Sequence, residues 1–119
     1  MALLQSIKKK LLGDTVEVKF VVHVPGNTPP GDRVYLTGGC SALGDWRAAG
    51  RQLRQTDRKV YEGRVRVPAG QPIEFKVTRG SWESVESHGD GGGTENHYVT
   101  VEQMTEGPVY HTVERWNDA

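Results

Sequence analysis

One cysteine, Cys40, is all that 119 residues contain. No intramolecular disulfide can form, so a hydrophobic core must hold the fold, and a reducing, cytoplasmic setting is the expectation. Net charge is missing too, because 15 Lys and Arg stand against 15 Asp and Glu. That balance removes the basic field that gathers nucleic acid or anionic lipid, and it suits a neutral ligand better. Long apolar runs are absent, so nothing reads as a membrane span. Lys8, Lys9 and Lys10 follow the short apolar stretch at the N-terminus instead of preceding it, which is the wrong order for a signal peptide. Helical spacing is confined to Leu3, Leu4, Ile7 and Leu11, and predicts a short amphipathic helix in an N-terminal segment, 1–14. The remainder, 15–119, is the right size for one domain.

What is plentiful is turn chemistry, with 15 Gly and 6 Pro beside only 35% apolar residues. Together these predict an all-β chain with a thin core. Val16, Val18, Phe20, Val22 and Val24 alternate with Glu17, Lys19 and His23, the period of a strand with one buried face. Pro25-Gly26-Asn27 and Pro29-Pro30-Gly31-Asp32 close it. A second strand is read at Arg33 to Thr37, followed by a long surface connection from Gly38 to Asp57. Lys59 to Val67 alternates again, with Tyr61, Val65 and Val67 on one face, and Ile73, Phe75 and Val77 mark its partner. Lys76 must then point outward. Trp82 to Glu86 continues or pairs with that strand, and His97 to Glu102 and Val109 to Arg115 complete the set. The spacing predicts an antiparallel immunoglobulin-like β-sandwich of about six to eight strands.

Four motifs follow one another along this pattern: Val34-Tyr35-Leu36-Thr37-Gly38, Leu43-Gly44-Asp45-Trp46, Val67-Pro68-Ala69-Gly70 and Ile73-Glu74-Phe75-Lys76. In order and spacing they resemble the starch-binding domains, the family 20 carbohydrate-binding modules, over roughly residues 15 to 101. The resemblance implies a non-catalytic module that binds α-1,4-glucan such as starch, glycogen or maltooligosaccharides, with a protein partner carrying any catalytic activity. It implies a stacking platform of Trp46 and Trp82, a hydrogen-bond donor in Lys76, and polar contacts from Glu83 or Glu86 and from Asn96. A pyranose ring offers an apolar face of C–H groups to a rigid indole, while its hydroxyls need donors and acceptors around the rim. A second family site would use Tyr35, but the stretch Gln52 to Arg58 has no further aromatic to complete it. Trp116, near the C-terminus, reads as a structural cap instead.

Other chemistries have weaker claims. Glu86 to His97 holds carboxylates and two imidazoles, yet it lacks the spacing of a calcium loop or a zinc site, and so reads as a surface loop with no metal. Gly91-Gly92-Gly93 lacks the Lys-Ser or Lys-Thr of a phosphate loop. Nothing brings Cys40, Ser41 and His23 together as nucleophile and base, so no catalytic residue and no cofactor are assigned. The alternative to glucan binding is a protein-interaction domain that keeps the fold without a working sugar site.

Overall fold

The computed structural model of the chain describes residues 15–88, 93–102 and 107–119. The expected N-terminal helix lies outside these residues. The strands are β1 (Thr15–His23), β2 (Tyr35–Gly38), β3 (Arg51–Gln52), β4 (Arg54–Asp57), β5 (Val60–Pro68), β6 (Ile73–Thr78), β7 (Glu86–Ser87), β8 (His97–Val99), β9 (Val109–Thr112) and β10 (Arg115–Trp116). They form a four-stranded sheet β4-β5-β1-β9, a second four-stranded sheet β3-β2-β6-β8, and a two-stranded ribbon β10-β7. The fold is thus an all-β sandwich. Pairing is antiparallel except between β1 and β9, which run parallel.

Alternation determines which residues meet between the sheets. β1 pairs with β5 from Thr15↔Pro68 to His23↔Val60, so Val18, Phe20 and Val22 share a face with Val65 and Tyr61. On the facing sheet, Leu36 pairs with Val77, and Phe75 and Ile73 point the same way. All of these are buried, and Phe20 meets Phe75 edge-on with ring centroids 5.4 Å apart. Burying a side chain of that size contributes about 2–3 kcal/mol. Trp116 is fully buried, donates its indole N–H to Thr28 Oγ1 at 2.8 Å, and carries the Arg79 guanidinium 5.4 Å above its ring, as a cap should.

Two expectations need correction. The stretch from Gly38 to Asp57 is not one loop, since β3 and β4 lie inside it. Both are edge strands whose residues are all exposed, so no apolar alternation marks them, and Leu53 between them is the residue that reaches the core. Trp82 to Glu86 does not extend β6. It turns through Ser81 and Ser84, whose hydroxyls sit 2.8 Å apart, and only Glu86–Ser87 is extended, paired with β10.

Candidate functional site

The Leu-Gly-Asp-Trp motif is a device for presenting an indole. Leu43 ends a single 3-10 turn, Ser41–Leu43, and is fully buried. The next three residues all have positive φ: Gly44 at 81°, Asp45 at 49° and Trp46 at 67°. Left-handed backbone is costly for residues with a side chain. Here it is held by hydrogen bonds from Asp45 N to Cys40 O (3.1 Å), Trp46 N to Gly38 O (2.9 Å) and Arg47 N to Gly44 O (3.1 Å). At residue 44 only glycine fits, because a Cβ there would lie 2.6 Å from Gly50 Cα. The reversal lays the half-buried Trp46 indole against Gly39, where an added Cβ would be 3.4 Å from its Nε1.

Gly39 N in turn bonds Glu74 O at 3.1 Å, which joins the Trp46 turn to the start of β6. Glu74 and Lys76 face outward from that strand, opposite to Phe75 and Val77. Lys76 Nζ donates to Thr94 O at 2.6 Å, and Asn96 Nδ2 donates to Glu74 Oε2 at 2.8 Å. Lys76 and the Glu74–Asn96 pair therefore share the outward side of β6, and the Trp46 turn is joined to that strand at Glu74. An ammonium has three donors and a carboxamide keeps a carbonyl oxygen and a second N–H, so these internal bonds leave capacity for a ligand.

Tyr98 completes this face, although the sequence reading passed over it. β8 pairs Tyr98 with Glu74 and His97 with Phe75, so Tyr98 points outward, and it is 65% exposed. Its position two residues after Asn96 in an alternating stretch was the available signal.

The other expected residues cluster elsewhere on the same sheet. Tyr35 pairs with Thr78 and its ring lies against Gly80, where a Cβ would be 3.3 Å from Cε1. Gly80 opens the turn that carries Trp82, 47% exposed, and Glu83, also exposed. Arg79 anchors that turn through two bonds to Asp118 (2.8 and 2.9 Å) and one to Asp32 (3.1 Å). Contacts thus tie Trp82 to the Tyr35 end of β6 and Trp46 to the Glu74 end.

Glu86, the other candidate for a sugar contact, does not face a ligand on that surface. It is 2% exposed. Its Oε2 accepts the Val77 N–H at 2.7 Å, and its Oε1 sits 2.8 Å from His97 Nε2 and 2.9 Å from His111 Nε2. Burial opposes ionisation, but hydrogen bonds and charge from the two imidazoles outweigh it and hold the carboxyl at about 2. The carboxylate therefore belongs to a buried polar group inside the sandwich.

A two-sheet β-sandwich bearing aromatic residues and paired polar groups on an outer face is the form of a small surface-binding module. Comparison with known proteins makes this specific. A family model described as "Starch binding domain" matches residues 15–109. The chain belongs to that family. It is 37% identical over 103 residues to an α-amylase from Niallia circulans, covering 85% of this chain and 8% of the enzyme. It is 41% identical over 88 residues to a cyclomaltodextrin glucanotransferase from the same organism, covering 66% of this chain and 12% of that one. The chain thus spans a small part of these relatives' length. Among solved structures it resembles the family 20 carbohydrate-binding module of the maltotetraose-forming amylase from Pseudomonas saccharophila, with a TM-score of 0.57 and 25% identity. That match covers 82% of this chain and 99% of the module. A gamma-CGTase from alkalophilic Bacillus clarkii aligns at a TM-score of 0.63 and 31% identity, over 87% of this chain and 16% of its own.

Proposed function

We infer that the domain is a non-catalytic module that binds α-1,4-glucan on the outward face of sheet β3-β2-β6-β8. The observation that carries this reading is the Trp46 indole, held by three successive left-handed residues in a turn bonded to Glu74 of β6, in a chain of the starch-binding family. A glucose unit stacks its C–H face on Trp46, and Lys76, Asn96 and Glu74 meet its hydroxyls. Tyr98 extends the apolar strip toward β8. Rigidity matters because a preformed platform loses little entropy when the sugar docks. A few stacking and hydrogen-bond contacts give about −4 to −7 kcal/mol, a Kd between about a millimolar and about ten micromolar. Trp82 and Tyr35 offer a second apolar surface that a longer glucan chain can reach.

Calorimetric titration of the pure protein with maltoheptaose, followed by an assay for new reducing ends, tests both halves of this reading. Saturable binding with no hydrolysis supports it. Release of reducing ends by the isolated chain contradicts the non-catalytic assignment. Lack of binding at several millimolar maltoheptaose contradicts the glucan assignment and favours a protein partner.

A further inference from the structure

The buried group around Glu86 contains more ligand chemistry than a structural hydrogen bond needs. Glu86 comes from β7, His97 from β8 and His111 from β9, and one potential ligand atom from each lies within 4.8 Å of the others. They converge because His97 pairs with Phe75 and His111 with Val22, so both imidazoles point between the sheets. Their ring centroids are 4.2 Å apart, and each lies about one ring contact from Phe75, at 5.4 and 5.5 Å. The three groups open into a pocket of about 160 Å³ that is also lined by Ser87, His88, Thr94 and Glu114. Ser87 is 1% exposed, yet among the described residues its Oγ has no hydrogen-bond partner, and Thr94 Oγ1 is likewise buried and unpartnered among them. Buried hydroxyls are nearly always hydrogen-bonded, so two without partners on one small pocket point to something polar that belongs there.

We propose that Glu86, His97 and His111 form a site for a divalent first-row transition metal of the zinc class. Two imidazoles and one carboxylate are a common donor set for such an ion, and they leave a fourth position toward Ser87 and the pocket for water. Calcium and magnesium, which favour all-oxygen shells, fit poorly. The carboxylate–imidazole separations need only modest adjustment. Zinc bonds of about 2.0–2.2 Å place neighbouring ligands a little over 3 Å apart. The present 2.8 and 2.9 Å separations therefore widen slightly as the rings exchange their N–H donation for a metal bond. The Val77 N–H on Oε2 fixes the carboxylate, and Phe75 supplies an apolar wall, the outer support that metal ligands require. Such an ion would tie β9 of one sheet to β8 of the other, on the opposite side of β8 from Asn96. The proposal is independent of the glucan reading.

The test uses the full chain without a histidine tag and with zinc chloride as the probe. Calorimetry at pH 7.5 should show one ion per chain, and long-range nitrogen–proton spectra should show the imidazoles of His97 and His111 shifting together. Zinc at a hundredfold excess over Kd should raise Tm by about 10 °C. Cobalt should give the visible bands of four- or five-coordinate Co²⁺. His97→Asn with His111→Asn should abolish binding, whereas His23→Asn should preserve it. The proposal is overturned by an absence of saturable binding at up to about 100 µM zinc, about ten times the Kd of a ten-micromolar site. It is equally overturned if the ion shifts only His23 or His88. These readouts come from the native protein, so poor folding of the double variant does not blunt them.

Discussion

Replacing Glu86 by alanine should expose how much the interior depends on one carboxylate. Its two oxygens satisfy the Val77 N–H and face both imidazoles, all within 2.7 to 2.9 Å. Alanine leaves a buried backbone donor unpaired and breaks a buried charged network, a loss of about 3–5 kcal/mol out of a total of about 5–15 for a domain of this size. The pH dependence carries the sign. The carboxyl sits at about 2 in the fold against an ordinary 4.5. Its stabilisation is therefore complete above pH 4.5 and is lost as pH falls through 2. At about 1.4 kcal/mol per pH unit, it amounts to about 3 kcal/mol. Urea unfolding of wild type and Glu86→Ala from pH 6 to pH 2 should show the gap between them narrowing by that amount. A gap below about 1 kcal/mol at pH 6, or one that stays constant down to pH 2, would refute the reasoning.

Other consequences can be checked separately. Trp116→Ala should cost about 4 kcal/mol by denaturant melt, because it empties a fully buried site and frees Thr28 Oγ1. Gly44→Ala should destabilise by about 2 kcal/mol or more and weaken glucan binding as well, since its Cβ would meet Gly50 while its φ is 81°. Tyr98→Ala should reduce maltoheptaose affinity about fivefold, worth about 1 kcal/mol of stacking, with little change in Tm because the ring is exposed.

Much of the scaffold was legible from alternation alone. Val18, Phe20 and Val22 point inward as their period requires, and Lys76 points outward. The second strand was placed slightly early, at Arg33 to Thr37 instead of Tyr35–Gly38, because Val34 is buried without belonging to the ladder. β3 and β4 left no trace in the apolar pattern, being exposed edges held by backbone pairing to β2 and β5. Of the candidate site, Trp46 and Lys76 stand in the motifs and Asn96 comes from the family resemblance, while the structure adds Tyr98, paired with Glu74. The Glu86–His97–His111 group was not reachable. Its members stand 11 and 14 residues apart, far from any short ligand spacing, and only the pairing of β8 with β6 and of β9 with β1 unites them.

The most direct test of the central claim is titration with β-cyclodextrin followed by tryptophan fluorescence, comparing wild type with Trp46→Ala and Trp82→Ala. The account predicts saturable binding to wild type at micromolar to millimolar ligand, a loss of about tenfold or more in folded Trp46→Ala, and a smaller loss in Trp82→Ala. Undiminished affinity in Trp46→Ala would contradict it.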